Sequence, residues 1–371
     1  MNTVAVIFGG VSTEHLVSCR SAFYVINALK ELKYDVLPLG ITKAGDWLPL
    51  LVEPEVLLTE GWEQAAYKAW HKKHARGLKI KEVFNPRRFF TYFFGKNPEV
   101  IFPAVHGINC EDGTLQGFLN MTDIPYVGSG VLASALGMNK IFAKQIWAAN
   151  KLPVVPYYVV TRDDLAKDSI GLPETSAAVE KVLTYPIFLK PASGGSSVGT
   201  FKAGNRSELV AALGEVSKFD REILLEQYIP ARELEVAVLG NLQPQAPMVG
   251  EILMQADVAF YDYETKYFAA GASSLALPAD LPTDLAERIL NLAQKAYKVL
   301  GCKGMARVDF FLDRCSGELY LNEINSLPGF TATSLYPQAW EKAGINLPAL
   351  VDQLCRLAIA EHQAGRRVET I

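Results

Sequence analysis

The sequence predicts an α/β and α+β protein of several domains, and three features of its 371 residues indicate this class. Near the start, an apolar run ends in glycines and is followed by apolar residues at helical spacing, which is typical of a β–α unit. Farther along, two pairs of short apolar strands flank turns that contain glycine. The chain is long enough for two or three domains that each bury a core.

The first predicted domain covers residues 1–128 and is an open α/β layer. It begins with the strand TVAVIFGG, and EVIFPAVHG and the shorter IPYVGSG extend the layer. After the first strand, the apolar residues that recur at helical spacing are Cys19, Ala22, Phe23, Ile26 and Leu29. The intervening stretch GWEQAAYKAWHKKHARGLKIKE is helix-like and mixed in charge, so we expect a solvated surface insertion there.

A second domain is predicted over residues 129–229 and a third over residues 230–371. The second contains a helix, two strands around the loop KPASGGSSVG, and a helix near residues 207–215. The third contains the strand ELEVAVLG, a long loop through YDYETKY, a helix over residues 281–300 and a strand pair over residues 306–324. The two strand pairs are the elements that carry the chemistry discussed next.

Composition excludes several classes of function. The net charge of −4 and the isoelectric point near 5.8 argue against a nucleic-acid surface, which needs a basic face. We see no basic leader and no apolar run of membrane-spanning length, so we expect a cytoplasmic protein without membrane contact. The five cysteines form no C-x-x-C pair, which predicts reduced thiols rather than a zinc site or disulfides.

The loop KPASGGSSVG differs from a P-loop because its lysine, Lys190, precedes the glycines and follows a strand. The predicted element is a hairpin with a tip rich in hydrogen-bond donors. Its glycines permit a positive φ and close backbone approach, while Ser196 and Ser197 add hydroxyl groups. Glycine-serine tips are common, so this loop indicates a phosphate site only in combination with a second motif.

That second motif is the hairpin GMARVDFFLDRCSGELYLNEIN. A turn near CSG sets Asp309 opposite Glu323 and Arg307 opposite Asn325, to within a residue. Strict alternation puts four residues on one face of the second strand: Leu319, Leu321, Glu323 and Asn325. Oxygen ligands without histidine or thiolate favour Mg²⁺, which also takes substrate phosphates. A salt-bridged surface hairpin is the alternative, although carboxylates buried beside Phe310 would be costly without a cation.

A strand lysine, a glycine-rich lid and an acidic hairpin in this order resemble the ATP-grasp fold, with a Rossmann-like domain before it. Six motifs are similar to those of the D-alanine–D-alanine ligases of peptidoglycan synthesis: GGVSTEHLVSCRSA, PAVHGINCEDGTLQG, KPASGGSSVG, FYDYETKY, GCKGMARVDFFLD and LNEINSLPGFTATSLYP. The resemblance covers nearly the whole chain except about residues 50–98 and the tail. Cys110, Asn139 and Leu327 depart from the pattern that is usual in that family.

This resemblance implies ATP-dependent ligation of two D-alanines through an acylphosphate, by a homodimer joined through the first domain. Glu14 would bind the ammonium of the first D-alanine, and Arg307 with the Gly329 N–H would stabilise the tetrahedral oxyanion. Ser334 and Leu335 would hold the carboxylate of the second D-alanine. His106 is an implied substrate contact, although a histidine at a strand end is also common in protein cores.

The resemblance also implies the ATP and metal contacts. The implied ATP contacts are Lys140, Lys190, Ser197 and Lys266 at the phosphates, Glu226, Gln227, Tyr228 and Ile229 at the adenine, and Glu233 at the ribose. Asp309, Glu323 and Asn325 would hold two Mg²⁺ ions, with Mn²⁺ as an alternative metal. Ser196 and Tyr267 would join Glu14 in a hydrogen-bonded link across the closed site.

Two other functions stay open at this point. A binding module that uses ATP as a conformational ligand would keep the lysines but has little reason to keep Arg307, Glu14 and Ser334 together. A related ligase would share the nucleotide site and differ in its second substrate, such as D-serine or D-lactate. In the resembling family a tyrosine at the position of Tyr267 accompanies D-alanine as second substrate, so the sequence favours the dipeptide.

Overall fold

The computed structural model describes residues 2–73, 85–165, 168–195, 198–254 and 273–365. Three separate β-sheets, two of four strands and one of five, organise these residues. Helices pack against each sheet, and the result is the mixed α/β architecture that the sequence predicts. The boundaries of the three domains stay a prediction.

The N-terminal sheet has the strand order β3-β2-β1-β4. Its strands are β1 (Thr3–Gly9), β2 (Asp35–Ile41), β3 (Trp47–Pro49) and β4 (Val100–Pro103). The associated helices are α1 (His15–Glu31), α2 (Trp62–Lys73), α3 (Phe89–Phe94) and α4 (Thr114–Thr122), with 3₁₀ turns at Pro54–Leu58 and Pro86–Arg88. Strand β1 runs parallel to β2 and β4 and is buried along nearly its whole length, as expected for a central parallel strand.

The prediction of a solvated insertion before β4 is wrong for helix α2. Trp62, Ala66 and Trp70 are buried against the N-terminal core, and the Trp62 indole N–H donates to Nε2 of His15 at 3.1 Å. These three residues recur every four positions and form one apolar stripe between charged neighbours. The charged residues of the segment form only its outer face.

The stretch IPYVGSG contributes a single β-bridge, from Tyr126 to Ile101, rather than a strand.

The central sheet is antiparallel, in the order β5-β8-β6-β7. Its strands are β5 (Tyr157–Thr161), β6 (Ile187–Pro191), β7 (Phe201–Ala203) and β8 (Glu222–Gln227). The helices in this stretch of the chain are α5 (Val131–Met138), α6 (Lys140–Ala149), α7 (Arg162–Leu165), α8 (Asp168–Val179) and α9 (Arg206–Val216). Strands β6 and β7 pair directly, so the glycine-rich loop joins the two strands of a hairpin, as predicted.

The C-terminal sheet is also antiparallel, in the order β11-β10-β9-β12-β13. Its strands are β9 (Ala231–Leu239), β10 (Val249–Met254), β11 (Ser273–Ala276), β12 (Met305–Asp313) and β13 (Leu319–Asn325). The remaining helices are α10 (Thr283–Val299), α11 (Leu335–Lys342) and α12 (Leu347–Gly365). Helix α12 returns to the N-terminal part, where the Tyr34 hydroxyl donates to Oδ1 of Asp352 at 2.5 Å.

The register of the β12–β13 hairpin confirms the predicted pairs, because Arg307 lies opposite Asn325 and Asp309 opposite Glu323. A register shift follows at once, and Phe310 pairs with Leu321. Asn322 is therefore the extra residue of a β-bulge, which reverses the alternation. The prediction of one face for Leu319, Leu321, Glu323 and Asn325 is wrong: the two leucines are buried in the core, whereas Glu323 and Asn325 line a cleft.

The structure bears on two predictions from composition. All five cysteines are free thiols, as predicted, and four of them are buried. Within the described ranges, no helix combines the length and apolar character that are needed to cross a lipid bilayer.

Candidate active site

A cleft lies where the three sheets approach one another. Its lining includes many of the residues that the sequence singled out: Glu14, His106, Lys140, Arg307, Glu323, Asn325, Gly329 and Ser334. Asp309 adjoins it through Arg307 and Asn325, Leu335 follows Ser334, and Lys190 bonds to Asn322 next to Glu323. Four further predicted residues, Ser196, Ser197, Lys266 and Tyr267, lie outside the described residues.

On the floor of the cleft, Arg307 is held by carboxylates from two strands. Its guanidinium donates to both oxygens of Asp309, from Nε at 2.8 Å and from Nη2 at 2.6 Å, and Nε lies 3.3 Å from Oε1 of Glu235. The amide of Asn325 donates to Oδ2 of Asp309 at 3.3 Å. Burial raises the pKa of Asp309 to about 7, with Arg307 opposing the rise and the carboxylates of Glu235 and Glu323 adding to it.

The donor chemistry of this hairpin fits Mg²⁺. Asp309, Glu323 and Asn325 present carboxylate and amide oxygens side by side, and Glu235 adds a further carboxylate beside Arg307. Among the described residues, no group of three or more His, Cys, Asp or Glu side chains is arranged to hold a metal. Two carboxylates and one amide are a donor set that suits a cation that also takes phosphate oxygens.

Lys190, the lysine of the loop KPASGGSSVG, is paired inside the protein. The Nζ atom of Lys190 lies 2.6 Å from Oε2 of Glu226, and Nζ of Lys144 lies 2.6 Å from Oε1 of the same carboxylate. Lys190 also donates to Oδ1 of Asn322 at 3.1 Å. Burial acts to raise the pKa of Glu226, but the two ammonium groups outweigh it and lower that pKa to about 2.

Lys140 connects the glycine-rich loop to the acidic hairpin. Its ammonium donates to the Gly194 carbonyl at 2.6 Å and lies 3.4 Å from Oε2 of Glu323. Asn139, one of the departures from the family pattern, caps helix α6 by accepting from the N–H groups of Ile141 and Phe142 at 3.0 and 3.2 Å. An asparagine thus supplies the cap, and no loss of local geometry follows from this departure.

The segment predicted to bind adenine has several internal contacts. The Gln227 side chain bonds to both Thr184 and the Pro186 carbonyl, and the Tyr228 N–H donates to Pro186 at 3.2 Å. Lys202 places its ammonium 3.7 Å from the centre of the Tyr228 ring. Ile229 lies two residues after the end of β8, and Glu233 lies on β9 opposite Ile252 of β10 and Phe311 of β12. The adenine and ribose roles of these residues stay predictions.

Glu14 lies at the N-cap of α1, and its carboxylate faces two glycines of other segments. A Cβ atom added to Gly107 would lie 2.9 Å from Oε2 of Glu14, and one added to Gly195 would lie 3.1 Å from it. The glycine-rich loop therefore approaches Glu14 closely because it has no side chain there. This contact brings the lid of the central part to the first-substrate position that the sequence predicts.

His106 is a buried connector between α1 and the loop before α11. Its Nδ1 bonds to the Leu327 carbonyl at 3.0 Å and its Nε2 to Oγ of Ser21 at 3.1 Å. Because a carbonyl only accepts, Nδ1 carries the proton and Nε2 accepts from Ser21. Burial lowers the pKa of His106, which favours this neutral form. Ser21 also accepts from the Phe330 N–H at 3.2 Å, so His106 and Ser21 together hold residues 327–330.

The predicted second-substrate residues lie at the start of helix α11. Ser334 is the N-cap, and its Oγ would lie 2.9 Å from a Cβ atom added to Gly329. It also accepts from the Thr331 N–H at 3.1 Å. Leu335 is the first residue of the helix, and its side chain is buried. Backbone N–H groups at a helix N-terminus bind carboxylates well, which suits the role that the sequence predicts.

Sequence reasoning missed three charged residues of the site. Lys144 stands one helical turn after Lys140 and shares a buried face with Trp147, so a lysine on an apolar stripe was the signal. Glu235 alternates with Glu233 and therefore shares the face that meets Asp309. Their partners on other elements decide their importance, and a single strand or helix does not reveal those partners.

The third missed residue is Glu111, which lines the cleft near Glu14. One of its oxygens accepts from the Gly107 N–H at 2.6 Å. Burial raises the pKa of Glu111 to about 8, and the Glu14 carboxylate adds to the rise.

The preceding residue, Cys110, is buried, and its Sγ would lie 3.0 Å from a Cβ atom added to Gly10. The larger side chain at this departure from the family pattern is thus accommodated by a glycine.

Comparison with known proteins identifies the family. Residues 3–129 match the family described as D-ala D-ala ligase N-terminus, and residues 146–356 match D-ala D-ala ligase C-terminus. D-Alanine–D-alanine ligases from Thermoanaerobacter sp. strain X514 and Acetivibrio thermocellus are 44% and 42% identical to the chain. The first alignment covers 97% of both chains, and the second covers 97% of this chain and 96% of the relative.

Solved structures agree with this assignment. The D-alanine–D-alanine ligase of Coxiella burnetii has a TM-score of 0.78 at 32% identity, over 98% of this chain and 95% of its own. A D-Ala:D-Ser ligase from Enterococcus faecalis has a TM-score of 0.79 at 33% identity, over 96% of this chain and 99% of its own. The chain therefore belongs to the D-alanine–D-alanine ligase family of ATP-dependent ligases, which have the ATP-grasp fold.

Proposed function

We propose that this protein joins two molecules of D-alanine to D-alanyl-D-alanine at the expense of ATP, for peptidoglycan synthesis. The observation that carries the proposal is the convergence at Lys140, whose ammonium meets both the lid carbonyl of Gly194 and the carboxylate of Glu323. The glycine-rich loop, the acidic hairpin and Glu14 thus surround one cleft, as a ligase of this family requires. Family membership supports the identity of the substrates.

Asp309, Glu323 and Asn325 are the proposed ligands of two Mg²⁺ ions, with Mn²⁺ as an alternative. When bound, these ions would offset negative charge on the phosphates of ATP. Lys140, Lys190, Ser197 and Lys266 are the proposed phosphate contacts of the protein itself. The adenine is assigned to the backbone of Glu226, Gln227, Tyr228 and Ile229, and the ribose to the carboxylate of Glu233.

Two transfers make up the proposed reaction. The carboxylate of the first D-alanine attacks the γ-phosphorus, which forms an acylphosphate and releases ADP. The amine of the second D-alanine, after loss of a proton, attacks the acyl carbon, and phosphate leaves with one oxygen of the original carboxylate. The Arg307 guanidinium and the Gly329 N–H would stabilise the tetrahedral oxyanion, where one such donor is worth about 3 kcal/mol.

Other side chains bind and enclose the substrates. Glu14 is the proposed partner of the first ammonium, while Ser334 and the N–H of Leu335 are proposed for the second carboxylate. His106 holds the loop that carries Gly329 through Ser21 and Leu327, which supports a positioning role beside the substrate. Because acylphosphates react with water, the lid must exclude water before the second transfer.

The second substrate is the least constrained part of the proposal. A D-Ala:D-Ser ligase shares this fold at 33% identity, so similarity of fold alone does not select D-alanine. The argument for D-alanine depends on the identity of the curated relatives and on Tyr267. D-serine is accordingly the alternative second substrate, and competition between the two amino acids decides between them.

We further propose a cytoplasmic homodimer that is joined through residues 1–128, with three domains at residues 1–128, 129–229 and 230–371. The acidic isoelectric point near 5.8 and the uniformly free cysteines support a cytoplasmic protein without a nucleic-acid partner. Light scattering of the purified protein tests the dimer, and a monomer at micromolar concentration would contradict it.

A phosphate-release screen tests the function. Purified protein is given ATP, Mg²⁺ and one amino acid at a time, in both the D and the L series. We expect release with D-alanine and none with L-alanine. Equal release with both enantiomers contradicts the proposed substrate, and absence of release with every amino acid, although ATP binds, favours a non-catalytic ATP-binding module.

A further inference from the structure

Lys144 is a charged residue that the proposed reaction leaves without a role. Its side chain has 0% exposure, and it lies on helix α6 one turn after Lys140. A buried ammonium is costly unless it is paired. Here Nζ lies 2.6 Å from Oε1 of Glu226 and donates to the Leu321 carbonyl at 3.4 Å. Because it is sealed from solvent, Lys144 can influence a ligand only through these partners.

Glu226 connects Lys144 to the nucleotide site, because its second oxygen lies 2.6 Å from Nζ of Lys190. One carboxylate is thus shared by two lysines. Lys190 is the proposed phosphate contact, so in the complex its ammonium must also face phosphate oxygens. A buried carboxylate with a single cationic partner would compete with phosphate for that partner, because loss of the partner would leave it unneutralised.

We propose that Lys144 is a positioning residue for the nucleotide site, which neutralises Glu226 so that Lys190 is available to the phosphates of ATP. This inference depends on the proposed function, since it takes Lys190 as a phosphate contact. Lys144 keeps the carboxylate paired whichever way the Lys190 ammonium turns. It acts through Glu226 and contacts no substrate.

The surrounding contacts support a fixed geometry rather than simple filling of space. Lys144 bonds to the carbonyl of Leu321, and Lys190 bonds to the side chain of the bulge residue Asn322. Helix α6 and strand β6, which carry the two lysines, therefore both contact the part of β13 directly before Glu323. The bulge directs Asn322 toward Lys190, although strict alternation would place Leu321 and Glu323 on the same face.

A double-mutant cycle tests the inference. The variants are Lys144→Met, Glu226→Gln and their combination, together with Lys144→Arg and with the exposed Lys298→Met as matched control. Calorimetry measures ATP binding in the presence of Mg²⁺, and initial rates give KM for each substrate. Thermal unfolding verifies that each variant is folded.

We expect Lys144→Met to weaken ATP binding about tenfold or more, because a charge-assisted contact of Lys190 with phosphate is lost. KM for ATP should rise far more than KM for D-alanine. Lys144→Arg should recover most of the loss. The double variant should bind ATP more tightly than Lys144→Met alone, since the competing carboxylate is gone. The Lys298→Met control should resemble the wild type.

The opposite sign in the cycle overturns the inference. If the double variant binds ATP more weakly than Lys144→Met, Lys144 and Glu226 contribute only to core packing. The inference also fails if Lys144→Met binds ATP within about twofold of the wild type. If the wild type itself does not bind ATP, the proposed function fails instead, so the two failures are distinguishable.

Discussion

Replacing Glu111 by glutamine should make stability less dependent on pH. Glu111 is partly buried at the wall of the cleft, and the backbone N–H groups of Gly107 and Leu327 bond to it. Its pKa is about 8 in the folded protein, compared with the ordinary value of 4.5. The folded state thus keeps a proton that the unfolded chain loses. The stability that this proton provides is complete below about pH 4.5 and is lost as the pH rises through about 8.

The size of the effect follows from the two pKa values. Each pH unit between them is worth about 1.36 kcal/mol, so the full loss is on the order of 5 kcal/mol at alkaline pH. Between about pH 6 and pH 8 the wild type should lose about 2 to 3 kcal/mol through this group. Glutamine does not titrate. Its amide nitrogen must face one backbone N–H, which is a cost that does not vary with pH.

The assay is urea unfolding of wild type and Glu111→Gln at several pH values in this range. The quantity of interest is the difference in the free energy of unfolding between the two proteins, because other titrating groups cancel in it. We expect the difference to shift in favour of Glu111→Gln as the pH rises. A difference that stays constant from about pH 6 to pH 8.5 would refute a Glu111 carboxyl that keeps its proton in the folded state.

Three further predictions concern catalysis, stability and specificity. Glu323→Gln should abolish phosphate release at ordinary Mg²⁺ concentrations while thermal unfolding is unchanged, since one negative charge of the proposed Mg²⁺ ligands is lost without a change in side-chain volume; normal activity would mean that the metal binds elsewhere. Tyr34→Phe should lower the free energy of unfolding by about 1 kcal/mol, because the hydrogen bond to Asp352 is lost, and an unchanged urea midpoint would contradict this. Tyr267→Phe should raise the ratio of D-lactate to D-alanine product in a competition assay near neutral pH, because it removes the hydroxyl of the link with Ser196 and Glu14 that the sequence predicts, and one hydrogen bond is worth about 1 kcal/mol; an unchanged ratio would contradict the proposed specificity role.

The acidic hairpin shows what the alternation of residues and the position of a turn can predict about strand pairing. The pairs Asp309 with Glu323 and Arg307 with Asn325 were predictable because a short turn fixes register from one end. The bulge at Asn322 was not predictable. Nothing local demands an extra residue there, and its benefit is a bond to Lys190, which comes from another sheet. Tertiary contacts therefore decided which face Leu321 occupies.

The buried charged residues of the site were the hardest to predict from the sequence. Lys144 and Glu226 stand in segments that have the pattern of an ordinary helix and strand, and each is tolerated in the core because it is paired with an opposite charge. A prediction from one element at a time treats such residues as surface groups. Helix α2 shows the converse error, since its charges concealed the stripe that carries Trp62. The family motifs predicted most of the residues that line the cleft, because the motifs come from several elements that meet at one site.

The most direct test of the central claim follows the oxygen atoms of D-alanine. D-alanine labelled with ¹⁸O in its carboxylate is incubated with the protein, ATP and Mg²⁺, and the phosphate, ADP and dipeptide are analysed by mass spectrometry. If the first carboxylate attacks the γ-phosphorus, each dipeptide formed accompanies one ADP and one phosphate that carries one ¹⁸O. Phosphate without label, or ADP formed without D-alanyl-D-alanine, would contradict the acylphosphate ligation proposed for this cleft.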